Sequence, residues 1–430
     1  MITFNFSILC MAPRANVTNN APVYYYSPIQ QTYLMWALGF GSLVGTFPFT
    51  YFFSKFGTRY IFTGAGILSI VSTLAVPLAA SYGLYAFMFV RFLQGISYSA
   101  DFAAIGMLTS IWASLKQHAL FLSLLTCYSP LSSTLTNLVS GYICESFLGW
   151  PWIYYFHAMA GAVLFGYWFL VYTDYPAKSN WVSSIELEKI ERNKAKEELE
   201  FHGVVPYWEI CKNPVVLTIW YNAFIEISSG IFLLIYTPIY MRKVRGFSIV
   251  TTGILSSIPP LIAIPLRITF GIISDKIKFW SERTKMNVFN TFAAFGPAVC
   301  YMLIVIIDEP MFAVGVLLTI HVFYAGSGGG FYKCATLSCR QHSHFVIANI
   351  QFIKCLTLFF APALYGFFVH DETSSEQWNH IFVTMSVALT TATALFIFFS
   401  TDKPQKFTHV SENRGALDLN VLKKEEVLKQ

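Results

Sequence analysis

Six side chains suited to proton or anion chemistry stand inside long apolar runs of a 430-residue chain: Arg91, Tyr98, Asp101, Glu226, His321 and Lys354. An ionisable group near the centre of a hydrocarbon layer costs roughly 2.5–3.5 kcal/mol on insertion scales, so it usually faces a partner or a cavity. Guanidinium and ammonium groups such as Arg91 and Lys354 can meet a carboxylate or phosphate. Carboxyls such as Glu226 and Asp101 can load and release a proton. Arg91 and Tyr98 are seven residues apart and share a helical face, with Asp101 one turn beyond Tyr98. A Glu226–Lys354 ion pair is the sharpest expectation. The competing reading is a set of structural ion pairs that lock helices together, with His321 a core residue satisfied locally. Arg267, near the end of its run, is expected to snorkel to the interface.

The elements that would hold these groups are transmembrane helices. Hydrophobic residues make up 55 % of the chain and charged residues 12 %, against roughly 25 % charged in a soluble domain. Residues 174–212 carry 14 of the 51 charges and residues 402–430 carry 11. A disordered chain and an ordinary soluble enzyme are excluded. About 20 apolar residues cross a bilayer, and eleven runs suffice: 33–53, 62–80, 84–110, 119–144, 154–172, 215–241, 250–270, 288–307, 311–332, 345–369 and 381–399. Met1 to Ala12 covers only about 18 Å at ~1.5 Å per residue, and is read as the second half of a truncated first helix. The alternative is an eleven-span protein. The expected fold is therefore an all-α membrane protein. It has a six-helix half over 1–172, a linker over 173–214, a second half over 215–400 and a tail over 401–430.

Lysine and arginine set the orientation. One face receives Arg14, Arg242, Lys243 and Arg245. The other receives fourteen basic residues, among them Lys55, Arg59, Lys276 and Lys278, and is read as cytosolic along with the tail. Asn16-Val17-Thr18 is then a glycosylation sequon on the opposite face. Basic residues form no aromatic-interleaved stripe, so nucleic acid is not an expected partner. Five of the eight cysteines (Cys10, Cys127, Cys144, Cys300 and Cys355) sit in or beside apolar runs and read as small buried hydrophobes, and the spacing of Cys334, Cys339, His342 and His344 lacks the pairs of a metal site. No cofactor motif, HExxH, GxSxG or GxxxxGK[ST] is present.

The halves repeat. Thr50-x-x-x-Ser54-Lys55-x-Gly57-x-Arg59 follows the second run, and Gly271-x-x-x-Asp275-Lys276-x-Lys278 follows the eighth. The second copy's small residue, three spacers, acid and base resemble the loop signature of the major facilitator superfamily; in the first copy Thr50 stands for the Gly and Ser54 for the Asp. In that superfamily the charges latch one conformation while two halves rock. Further stretches resemble the sialin, vesicular glutamate and sodium–phosphate transporter family. They include Pro48 to Arg59, Arg91-Phe-Leu-Gln-Gly95, Ser140 to Glu145, Asp174-Tyr-Pro176, Tyr236-Thr-Pro238-Ile-Tyr240 and Phe295 to Ala298.

That resemblance implies a major facilitator fold and transport of a small anion coupled to a proton, sodium or membrane potential. The expected partners are the anion, the coupling ion and the lipid bilayer. Several family positions differ: Thr3 stands for an Arg, Tyr98 for a Glu, Gly106 for a His, and Glu226 for the Arg of the glutamate branch. The family's anion and proton residues therefore do not carry over, and the substrate is left open. A carrier of a cationic or neutral solute and a non-transporting sensor or scaffold remain the alternatives.

Overall fold

The computed structural model describes residues 2–12, 21–113, 121, 124–125, 127–179, 182–191, 206–277, 279–307 and 309–408. Asn16, Lys278 and residues 192–205 of the linker lie outside them, as do the side chains of Thr50, Ser54 and Asp275. The first half contains α1 (Ile2–Met11), α2 (Pro28–Phe56), α3 (Thr58–Tyr82), α4 (Leu84–Trp112), α5 (Tyr128–Glu145) and α6 (Pro151–Val171). The second contains α7 (Pro214–Lys243), α8 (Ile249–Lys276), α9 (Glu282–Ile306) and α10 (Pro310–Tyr324), then α11 (Ser343–Phe368) and α12 (Ser375–Phe399). Eight helical spans among the described residues, one of them running over Pro310–Cys339, are long and apolar enough to cross a membrane. α2, α4 and α5 are the remaining long helices.

Local sequence explains where these helices start. Ser27 and Gln30 form a reciprocal capping box ahead of Pro28, and Asn213 accepts from Val215 and Val216 ahead of Pro214. Ser248 and Ser281 cap α8 and α9 in the same way. In the linker, Ser183 accepts from the backbone of Glu186 and opens a short helix over Ser184–Glu191. Glycine then sets how closely helices pack. A Cβ at Gly41 or Gly95 would lie 2.0 Å from the carbonyl oxygen of Phe92 or Leu38, so α2 and α4 touch backbone to backbone.

The end bearing the α1–α2 loop is called outer here and the end bearing the α2–α3 turn inner. The halves meet along α2–α11, α5–α8 and α1–α7. Several hydrogen bonds across these seams sit toward the outer end. Thr32 donates to Pro362 O (3.2 Å), Trp36 to Phe359 O (3.0 Å), Asn137 to Ser256 O (3.1 Å) and Gln31 to Glu372 (2.6 Å). Glu372 also accepts from Tyr365 (2.8 Å) and pairs with Lys243 (3.2 Å). Lys243 was on the minority side of the charge count, and this pairing gives it a local role.

Two expectations are corrected. Cys10 and Cys144 were read as buried hydrophobes; they form a disulfide joining the outer ends of α1 and α5. The run 311–332 was read as one continuous helix. It breaks at the 3₁₀ turn Ser327–Gly329 and resumes as Phe331–Cys339. The glycine-rich turn fits because Phe289 crowds Gly329, where a Cβ would sit 2.7 Å from its ring.

Candidate functional site

The ionisable residues separate into two groups. Arg91 on α4 is buried at 1 % exposure inside the first half. It donates to Leu34 O (3.4 Å), Gln94 Oε1 (2.9 Å) and Met35 Sδ (3.3 Å), and its guanidinium lies 4.6 Å from the centre of the Phe4 ring. Tyr154, hydrogen-bonded to Ser7 at 2.6 Å, is within its electrostatic reach. This guanidinium is enclosed by α1, α2 and α4, and the structure does not bring it to the other five residues.

The second group lines the centre of the molecule, where the halves face each other. Asp101 and Tyr98 project from α4, and Tyr128 at the start of α5 donates to Asp101 Oδ2 (3.2 Å). Across the seam, Lys354 on α11 is within electrostatic reach of Asp101 and of Arg267 on α8. Arg267 also reaches Glu226, His321 and Tyr332. Cys355, next to Lys354, bonds to Thr46 of α2. The expected Glu226–Lys354 ion pair is not formed. Glu226 on α7 faces the break in α10, where Ser327 donates to its Oε1; its Oε2 is buried without a hydrogen-bond partner. Behind it, Tyr324 donates to Ser229 (2.5 Å), which is bonded to Tyr301 (2.7 Å). His321 bonds to the Leu317 carbonyl of its own helix (3.3 Å).

Sequence reading missed Arg267, Tyr128, Ser327 and Tyr332 as members of this group. The signals were present: an arginine in an apolar run and a serine inside a glycine cluster. Arg267 was assigned to the interface because only its distance from the helix end was weighed. The site therefore places two cations, Arg267 and Lys354, beside two carboxyls from different halves, Asp101 and Glu226. Such a set of groups can bind a small charged solute and exchange a proton.

The loop signature is resolved at its first copy. Gly57 has φ +80°, and a Cβ there would lie 2.7 Å from Asp174. Asp174 Oδ1 accepts from Thr58 N (2.7 Å) and Arg59 N (2.9 Å), while Arg59 donates twice to Phe169 O (3.0 and 2.7 Å). Lys55 donates to Tyr51 (3.3 Å). These bonds fasten the α2–α3 turn to the end of α6, within one half. In the second copy, Gly271 has open space around it and Lys276 is exposed.

A family model described as Major Facilitator Superfamily matches residues 3–362. Sodium-dependent phosphate transport protein 1 of Mus musculus is 26 % identical over 393 residues, covering 90 % of this chain and 83 % of that protein. Sialin of Homo sapiens is 28 % identical over 271 residues, covering 61 % and 54 %. A D-xylose–proton symporter crystal structure superposes with a TM-score of 0.69 at 14 % identity, over 93 % of this chain and 95 % of that one.

Proposed function

The chain belongs to the major facilitator superfamily, and from that premise we propose that it is a secondary active transporter of a small anion, organic or inorganic. Its relatives include a sodium-dependent phosphate transport protein and sialin, and the likeness read from the sequence agrees with them. The anion reading rests on Arg267 of α8 and Lys354 of α11 lying within electrostatic reach of each other, with carboxyls from both halves nearby. Two cations there repel each other, and a carboxylate or phosphate between them relieves that repulsion.

Coupling follows from competition for Lys354. Asp101 attracts it from the other half when no solute is present. Protonating Asp101 releases that attraction and leaves the ammonium for the solute, so solute and proton load together. Glu226 is a second proton carrier, its orphan oxygen beside the turn of α10. A sodium-coupled or potential-driven cycle would use the same cations with a different counter-ion. The loop-signature residues Thr50, Ser54, Lys55, Gly57, Arg59, Gly271, Asp275 and Lys276 are proposed to latch the inner ends when these close.

Two features support placing the inner end and the tail in the cytosol. One is the basic-residue count. The other is the disulfide at the outer end, since such bonds persist in oxidising compartments. In that orientation, bonds across the outer seam are what an inward-facing carrier would have, and its halves are proposed to span 1–172 and 215–400. The test is uptake of labelled phosphate, glutamate and sialic acid into proteoliposomes, with and without imposed pH gradient and potential. Gradient-driven uptake lost on Lys354→Ala is expected. Folded protein that takes up none of these anions would overturn the reading in favour of a cationic or neutral solute or a sensor.

A further inference from the structure

Away from the central cluster, unusual polar atoms lie in the shut outer seam. Asn5 on α1 is 2 % exposed, and neither its Nδ2 nor its Oδ1 has a hydrogen-bond partner. Tyr236 on α7 is 1 % exposed, and its Oη has none. Buried polar side chains are nearly always paired, and one left unpaired forfeits the full cost of losing water.

The two residues are brought together by helix register. Ile8 and Leu9 of α1 line one small outer cavity with Ile239 of α7, so these helices run side by side at that depth. Asn5 lies one turn inward of Ile8 and Leu9, and Tyr236 one turn inward of Ile239, on the same helix faces. One residue comes from each half. Stacking of Tyr236 on Tyr365, with ring centres 4.3 Å apart and planes at 24°, fixes the phenol in advance. Both groups sit directly beneath the seal formed by Glu372, Gln31 and Lys243.

We propose that Asn5 and Tyr236 are solute-binding groups of the outward-open state, forming the outer wall of the substrate site for an organic anion rich in hydroxyl or carboxylate oxygens. The inference rests on the transporter reading above. The amide donates and accepts, the phenol donates, and together they read oxygen atoms that the two central cations do not reach. When the halves part at this seam, water and solute satisfy them. When the seam closes empty they are left unpaired, which raises the energy of the closed state and keeps it from becoming a trap.

The proposal separates from a structural role through stability. In Asn5→Leu and Tyr236→Phe the orphaned atoms are removed, so the detergent-solubilised protein should melt at or above the wild-type temperature. Half-saturation for uptake of labelled N-acetylneuraminate should rise about tenfold, the loss of one hydrogen bond. A lowered melting temperature, or unchanged half-saturation, would overturn it. A second measurement uses Asn5→Cys with the six free cysteines replaced and the Cys10–Cys144 bond kept. Externally added, membrane-impermeant maleimide should label it, and N-acetylneuraminate should slow the labelling. Uptake without any external labelling sinks the outer-wall proposal alone. External labelling with no uptake of any solute supports an opening seam and sinks the carrier reading.

Discussion

Arg91 and Arg267 show two ways of placing a guanidinium among apolar helices. Arg91 is enclosed by one half, with a carbonyl, an amide, a thioether and an aromatic face each taking part of its charge. Arg267 is exposed and feels another cation, Lys354, along with Glu226. The first arrangement is complete within itself and has no need of a ligand. The second places like charges within reach of each other, beside carboxyls from both halves. A charge thus points to function by its neighbours more than by its presence in the membrane.

The contrast breaks most sharply at the central cations. Lys354→Ala and Arg267→Ala should each lower anion uptake by about a hundredfold or more, a loss comparable to a charged hydrogen-bonded contact. The circular dichroism spectrum and melting temperature should stay within error. Arg91→Ala should do the reverse. Loss of its charged hydrogen bonds should cost on the order of 3 kcal/mol of stability, seen as a large fall in melting temperature, with uptake per folded molecule close to wild type. If Arg91→Ala instead abolishes uptake in a stable protein, the division between the two regions is wrong.

A finer distinction lies between the two carboxyls. Glu226→Gln should leave solute exchange intact while making net uptake several-fold less responsive to an imposed pH gradient, measured in the same vesicles. Asp101→Asn should lower the dependence of half-saturation on pH, because it removes the internal rival for Lys354. Smallest of all is Asp174→Ala, which removes the cap on α3 and should cost about 1 kcal/mol with little change in transport.

The sequence alone made the helical spans, the two halves and the superfamily legible, because a bilayer demands long apolar runs and the loop signature repeats. Pairing between distant helices was less legible. Glu226 and Lys354 lie at similar depth on helices of one half, yet depth does not reveal azimuth. The structure turns Glu226 toward Ser327 and Lys354 toward Asp101. The Cys10–Cys144 bond was missed for a similar reason: two cysteines in apolar runs 134 residues apart carry no spacing signal. Gly326, Gly328, Gly329 and Gly330 cluster in the run 311–332, but a glycine-rich stretch is compatible with both tight packing and a break.

The interruption in α10 makes that helix a lever with a fulcrum. Its inner arm, Phe331–Cys339, is nine residues long, or about 14 Å. The fulcrum is the turn whose Ser327 holds Glu226. Near its base the arm is tied to α9 through Lys333 and Glu282 (3.0 Å). At its tip Ser338 O accepts from Gln405 N (3.0 Å), and the Cys334 thiol lies 3.7 Å from Thr401 O. The inner arm is thereby tied to the chain beyond the last helix, so a pull on that segment would reach the turn that holds Glu226.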